Sequence, residues 1–562
     1  MDRRKLRALL ISDFNIDILK GYLNNDEELP LLNITVAPFG QVMPILLEEK
    51  SEYWKSKYNS VIVWTQPENV IGSFKCILNY QHVPLDKVLA EVDEFSRALM
   101  NLQERVSLVF VPIWVLPTYH KGYGMLEMKD GIGIENILKQ MNLRLSKNLD
   151  SATNIYLLNT QKWIEVVGKY AFDHKLWYMA KIPFGNEVFK EATQDIKSAL
   201  RGINGASRKI IILDLDNTLW GAIVGEVGWE NIQLGGHDYI GEAYLDFQRA
   251  LKSLTNRGIL LSIVSKNEES LALEAINKHP EMALRLEDFA AWKINWKDKA
   301  QNIIDLVSDL NLGLQSAVFI DDDPVERARV REALPEVFVP EWPEDKLLYK
   351  KTLLSLRCFD APSVSKEDLE RTKMYVTERE RQDLKSNVGS LEDWLKVLGI
   401  KVKVEKLNDA NLQRTVQLLN KTNQMNLSTR RMTESELVNW TKQDNHKFWI
   451  FRVIDKFGDA GLTGIISLQV DNKIGRVVDF VLSCRVIGRK IEETMLYKVV
   501  NYAQSIGLDK VYAKYIPTPK NKPCLELWNR SGFVYNEENN CFSWEVKKDY
   551  SLPDCIQIEK EE

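Results

Sequence analysis

Five short apolar runs occupy the first part of the chain: Arg7–Ile11, Ile34–Ala37, Ser60–Thr65, Ser107–Val111 and Asn154–Leu158. Stretches of helical periodicity separate them. Strands joined through helices lie side by side by crossing over the sheet, so this alternation predicts a parallel sheet with covering helices. The helical stretch Glu187–Arg201 then gives way to Gly202-Ile-Asn-Gly205, which reads as a hinge.

A second α/β pattern begins at Lys209. The run Ile210-Ile-Ile-Leu213 is apolar at every position, the mark of a strand buried on both faces. Tyr244, Phe247, Leu251 and Leu254 repeat at helical spacing up to Gly258, and strand Ile259–Val264 follows, ending at Ser265. A further helix carries Ala300, Ile303, Ile304, Val307 and Leu310, and strand Ala317–Ile320 stops at Asp321-Asp322-Asp323. From Pro340 to about Ser390 the chain is charged and reads as a mostly helical connector, notably Glu367–Arg381. The last part changes character. Strands Phe448–Ile454, Gly464–Val470, Arg476–Ser483 and Lys510–Ile516 are interrupted by helices Arg489–Ser505 and Lys522–Ser531, a mixed, largely antiparallel α+β pattern. The boundaries follow: an α/β domain over 1–202, a second over 205–345, a connector over 346–392, an α+β domain over 393–548 and an acidic frayed tail over 549–562.

Composition adds exclusions. The chain has 562 residues and a net charge of -5, with no basic excess to suggest nucleic acid or a membrane surface. The apolar stretch after the charged start stops at Asp13, too short for a signal-peptide core, and no segment approaches the ~20 apolar residues of a membrane span. Six scattered cysteines without CxxC pairs read as free thiols in a reducing compartment, so a soluble cytoplasmic protein is expected. No repeat or low-complexity segment appears, and the oligomeric state is not legible.

The chemistry concentrates at the ends of the second set of strands. Asp214 and Asp216 emerge where a core strand ends, the place where open α/β sheets hold their sites. Two acids there are costly unless a cation lies between them, which points to magnesium and a phosphate. In this reading Asp214 attacks phosphorus, and Asp216 protonates the leaving oxygen and later activates water. Asp214, Asp216 through its carbonyl, Asp321 and Asp322 supply the hard oxygen ligands that Mg2+ prefers. Thr218, Ser265, Lys266, Asn267 and Lys299 are the candidates to hold phosphate oxygens, with Lys297 a competitor for Lys299 and a plain helix cap the alternative for Ser265.

These residues resemble the haloacid dehalogenase superfamily, whose DxDxT, Ser/Thr, Lys and DD motifs all occur here in order. Leu213-Asp-Leu-Asp-Asn-Thr-Leu-Trp-Gly221, Val224-Gly-Glu-Val-Gly228, Phe319-Ile-Asp-Asp-Asp-Pro324 and Glu326-Arg327 are similar to the FkbH-like subgroup. So is Lys421-Thr-Asn-Gln-Met-Asn-Leu-Ser-Thr-Arg-Arg431, which departs from that pattern at Met425 and Ser428. The likeness extends to the opening SDFN and APFGQ stretches and so covers nearly the whole chain. It implies a bifunctional glyceryl transferase/phosphatase. Such an enzyme takes 1,3-bisphosphoglycerate, removes phosphate, and loads the glyceryl group through a cysteine thioester onto the phosphopantetheine arm of an acyl carrier protein. That unit feeds polyketide, tetronate or methoxymalonyl assembly. The short segment between Gly221 and Tyr244 leaves little room for a lid over the phosphate site.

The last domain resembles GNAT-type acetyltransferases, whose R/Q-x-x-G-x-G/A loop exposes N–H groups to coenzyme A. Here Arg485-Val-Ile-Gly488-Arg489-Lys490 ends in lysine where that pattern wants a small residue, which counts against ordinary acetyl-CoA use. Cys484, beside Arg485, Arg489 and a helix start, is the candidate acyl acceptor; the alternative is a small buried hydrophobe. Asn423, Arg430 and Arg431 are candidates for the same acyl or phosphate site, or else a helix cap and a solvated basic edge. The first domain resembles SGNH esterases, with Ser12 after the first strand, but only Asp173-His174 side by side in place of Asp-x-x-His. It is expected to support or dock rather than catalyse. His120 and His237 are isolated and no zinc-like cluster appears. The rival readings are a magnesium phosphatase fused to a CoA-dependent N-acetyltransferase and a non-enzymatic carrier-docking scaffold.

Overall fold

In the computed structural model, residues 5–48, 52–364, 370–377 and 391–559 are described. They fall into two units, one of Met1–Arg201 with Thr433–Ser435, the other of Gly202–Met432 with Glu436–Glu562.

The first unit is built on β1 (Leu6–Ser12), β2 (Leu32–Val36), β3 (Ser60–Trp64), β4 (Val109–Pro112) and β5 (Ile155–Leu158). They pair in the order β2-β1-β3-β4-β5, all parallel, as alternating strands and helices require. Leu9, Ile11, Val61, Val63 and Val109 join Val92 and Phe95 of the helix Leu85–Met100 and Met141 and Leu145 of the helix Ile134–Leu149 in one buried cluster.

The second unit holds two sheets. The first consists of β6 (Ile210–Leu213), β7 (Leu260–Ser265), β8 (Phe289–Ile294) and β9 (Ala317–Ile320), parallel in the order β8-β7-β6-β9. Because β6 is interior, Ile211 and Leu213 face one buried cluster while Ile210 and Ile212 face another, which is why every position is apolar. The helix Tyr349–Ser355, inside the stretch expected to be a connector, packs Tyr349 and Leu353 into the first of these clusters. Of the expected helix Glu367–Arg381, residues 371–377 are helical and the others, apart from Glu370, lie outside the described residues.

The second sheet comprises β10 (Ile400–Glu405), β11 (His446–Asp455), β12 (Gly458–Asp471), β13 (Ile474–Leu482), β14 (Lys510–Lys514), β15 (Val534–Asn536), β16 (Cys541–Glu545) and β17 (Ile556–Glu559). Its order is β15-β16-β14-β13-β12-β11-β10-β17, and only the β13·β14 and β10·β17 pairs are parallel. The frayed tail expected over 549–562 is therefore corrected: β17 adds to β10 with Ile400 opposite Ile556, and Ile556 is buried. β13 and β14 pair only between Ile474–Val477 and Lys510–Ala513. Beyond that point they part, and the chain's own residues 425–427 fill the gap: Leu427 N–H donates to Phe480, Leu482 N–H to Met425, and Ile516 N–H to Leu427.

Candidate active site

Asp214 and Asp321 are the first residues beyond β6 and β9. Those strands are neighbours in register, Leu213 opposite Ile320, and Asp214 N–H donates to the Ile320 carbonyl at 3.0 Å. The pairing carries both carboxylates to one edge of the sheet. Lys299, the first residue of the helix Lys299–Asp309, inserts between them: its Nζ donates to Asp321 Oδ2 at 2.6 Å and lies 3.0 Å from Asp214 Oδ1. All three side chains are buried. Asp214 Oδ1 accepts no hydrogen bond despite that ion pair, and Asp214, Asp321 and Asp322 each present an oxygen within 4.8 Å of the others. Buried, under-coordinated carboxylate oxygens in a hard-ligand set fit a divalent cation such as magnesium.

The turn after Asp214 is held from several sides. Asn217 adopts a left-handed conformation (φ 56), and its carbonyl accepts from the hydroxyls of Tyr244 at 3.1 Å and Tyr349 at 3.2 Å. Asp216 is not part of the three-carboxylate group. Its Oδ1 accepts from Trp220 Nε1 at 2.9 Å and Val224 N–H at 3.0 Å, and its Oδ2 from Asn267 Nδ2 at 2.8 Å. Three donors fix the orientation of this carboxyl. Thr218 Oγ1 accepts from Asp322 N–H at 3.1 Å and donates to Asp322 Oδ1 at 3.3 Å, so it ties the two motifs together.

Ser265 is buried at the end of β7, as expected. Lys266 pairs with Glu326 at 2.5 Å and Asn267 with Asp216, so these side chains are already engaged. Two contributors were not singled out from sequence. Arg327, buried, donates to the carbonyls of Asp321 and Asp322 at 2.8 and 2.7 Å, and Lys346 lies 3.6 Å from Asp322. Arg327 stands within the quoted Glu326-Arg327 motif; Lys346 has no signal in sequence.

Burial sets the electrostatics. Desolvation, with the Asp214 charge, raises Asp321 to about 7 against the pull of Lys299. Desolvation also raises Asp216 and Asp322 above the usual carboxylate range. Burial alone would lower Lys299, but Asp214 and Asp321 outweigh it and hold the ammonium protonated. A raised acid at Asp216 suits a proton donor.

The candidate residues of the last sheet are engaged within the protein. Arg489 is buried in an ion pair with Asp455 at 3.2 Å, Asp455 being equally buried. Arg430 pairs with buried Asp479 at 2.5 Å and stacks on Trp440 at 4.8 Å. Arg431 donates to Asn423 and to the Leu419 carbonyl. Each arginine thus anchors the protein's own carboxylate or carbonyls. Gly488 N–H donates to Glu492 Oε1 at 2.7 Å, so a carboxylate occupies the loop that would face a diphosphate. Cys484 is partly buried, its sulfur 3.6 Å from the Tyr375 hydroxyl, and Arg485 reaches Ser483 and Met374. All six cysteines are free.

In the first unit Ser12 is buried and accepts from Phe14 N–H at 3.2 Å. Asp173 caps its helix by accepting from Leu176 N–H at 3.0 Å. Among the described residues no helix is long and apolar enough to cross a membrane.

A parallel sheet with two acids beyond its central strand, a lysine-bridged acid beyond the next and a donor beyond the third defines a phosphoryl-transfer class of site. The chain is 30% identical to the N-terminal part of protein BF1531 from Bacteroides fragilis, a part described as containing a phosphatase domain and complexed with Mg. The match covers 64% of this chain and 95% of that one, with a TM-score of 0.58. The chain belongs to the same family, the haloacid dehalogenase-type phosphatase-domain proteins. Weaker likenesses reach the Escherichia coli ribosomal-protein-S18-alanine N-acetyltransferase (8% identity, 26% of this chain, 94% of that one, TM-score 0.20). A Vibrio cholerae spermidine N-acetyltransferase variant is similar (16%, 26% and 95%, TM-score 0.21). Matches this slight define no activity. The sequence matches no protein-family model and no curated protein.

Proposed function

We propose that the protein is a magnesium-dependent phosphatase that also transfers an acyl group, dephosphorylating 1,3-bisphosphoglycerate and loading glyceryl onto an acyl carrier protein. The observation that carries the first half is Lys299 bridging buried Asp214 and Asp321 beside Asp322. Asp214 attacks phosphorus, the P–O bond to the leaving group breaks, and Asp216 gives its proton to the departing oxygen. Asp216 then takes a proton from water as the water attacks the aspartyl phosphate and frees inorganic phosphate. Bound magnesium, held by Asp214, Asp321, Asp322 and the Asp216 carbonyl, supplies charge neutralisation for the transferring group. Its presence in the related Bacteroides fragilis structure supports that assignment.

The second half assigns Cys484 as the transient acyl carrier before the phosphopantetheine thiol takes the glyceryl group. A partly accessible thiol beside a tyrosine hydroxyl supports it. Incubation with labelled 1,3-bisphosphoglycerate and a carrier protein should add one glyceryl mass to the phosphopantetheine arm. Turnover of acetyl-CoA without such loading would establish the phosphatase–acetyltransferase reading instead.

A further inference from the structure

Coenzyme A joins a diphosphate to an extended arm that carries amides. A domain that holds it needs N–H groups turned toward the diphosphate and peptide groups left open along the arm. The last sheet has a place for each: the loop Arg485–Lys490 at the start of the helix Ile491–Ser505, and the gap where β13 and β14 part. Both places are taken by the protein itself.

Gly488 has a left-handed backbone (φ 78) and is exposed, with open space where a Cβ would stand, so the loop is reachable. Its N–H nevertheless donates inward, to Glu492 Oε1 at 2.7 Å. Glu492 is 3% exposed, and its Oε2 is buried without a hydrogen-bond partner. A phosphate placed on Gly488 would compete with that carboxylate for the N–H and be repelled by its charge. The cations of the loop are engaged as well, Arg489 with Asp455 and Lys490 with Glu493 at 2.8 Å.

The gap is closed as firmly. Leu427 N–H donates to the Phe480 carbonyl at 3.0 Å, Leu482 N–H to Met425 at 2.9 Å and Ile516 N–H to Leu427 at 3.1 Å. Asn521 Nδ2 donates to the Asn426 carbonyl at 2.9 Å, and Met425 and Leu427 share a buried cluster with Phe480, Leu482 and Trp528. An arm entering here would have to displace two core side chains together with these hydrogen bonds.

We infer that the last sheet is closed to coenzyme A by its own chain, Glu492 standing in place of the diphosphate and residues 425–427 in place of the amide arm. Cys484 opens instead on a cleft of about 840 Å³ that Lys209, ahead of β6, also lines. An acyl group borne by phosphate or by a carrier protein can approach there without the nucleotide.

The test titrates the full chain with coenzyme A in metal-free buffer at pH 8, so that the phosphatase site is silent. The parent should give no binding heat up to millimolar ligand. Glu492→Ala should bind at least about tenfold more tightly than the parent, the worth of one like charge removed, with unchanged circular dichroism. Inorganic pyrophosphate, which lacks the arm, should show the same difference. Glu492→Gln, which keeps an oxygen for Gly488 without the charge, is the second variant should the first not fold, and should change in the same direction. Binding of coenzyme A to the parent at micromolar concentration, or acetyl transfer from acetyl-CoA, overturns the closure. A folded Glu492 variant that binds neither ligand better than the parent removes Glu492 as the occupant. Failed loading of glyceryl onto a carrier protein would sink the proposed function and leave this closure standing.

Discussion

Lys209 and Asp214 bracket a single strand, β6, and so mark opposite edges of one sheet. At ~3.3 Å per residue they are separated by about 16 Å. A phosphate held at one end cannot touch the other. Asp214→Asn should therefore reduce release of phosphate from monoesters about a thousandfold or more, as loss of a nucleophile does. Thioester formation on Cys484 should persist in that variant, and Cys484→Ala should show the converse. Phosphate release measured by colour assay and intact-protein mass spectrometry check both; coupled loss in either variant would merge the two centres.

Removing the bridging cation tests the carboxylate group. Lys299→Met leaves Asp214 and Asp321 buried against each other, and breaking a buried pair costs roughly 3–5 kcal/mol. Magnesium should restore part of that loss. The expected result is a lower Tm without metal and a larger rise on adding magnesium than the parent shows. Equal metal responses would place the cation elsewhere.

The ligand set has its own test. Asp321→Asn should weaken magnesium binding by at least about tenfold in isothermal titration, because one of three convergent carboxylates loses its charge. An unchanged affinity would remove Asp321 from the site.

Glu492 supplies a pH test. Burial raises its carboxyl from 4.5 to about 7, and the Gly488 N–H bond only partly offsets this. Between those values the folded chain keeps a proton that the unfolded chain has lost, so stability falls as pH rises through that window. Above it the cost approaches roughly 3 kcal/mol. Glu492→Gln retains an oxygen for Gly488 and carries no charge. Its Tm should exceed the parent's at pH 8 and come close to it at pH 4.5.

The last strand is testable by cavity formation. Ile556→Ala should cost roughly 2 kcal/mol in denaturant unfolding, since Ile556 is buried opposite Ile400 at the sheet edge. A neutral outcome would restore the view of this stretch as a loose end.

Legibility in the sequence followed burial. β6 and β9 are covered on both faces, so their apolar runs stand out, and the acids that end them were placed with them. β8 interrupts its apolar run with Trp292 and Lys293, which are only half-buried, and β17 is short and alternates with polar positions. Neither has a pattern to read. The carboxylates and Lys299 lie within local motifs and were named from them, whereas Lys346 comes from outside any motif. The surroundings of Cys484 come from six separate stretches of chain, and no spacing rule links Lys209, Arg371, Arg414, Lys421 and Cys484. Arg489 and Arg430 look basic in sequence; that each answers a buried aspartate is a matter of tertiary contact.

The segment 421–431 does more than connect. Its Lys421 carbonyl holds Lys209 at the foot of one sheet, while its residues 425–427 complete the other between diverging strands. Cutting the chain to obtain a phosphatase alone would strip a wall from the first sheet. Excising the remainder alone would need this same short piece to find its slot unaided. The two halves are thus mutually templating, and evolution could exchange one for a foreign module only by replacing the splice along with it.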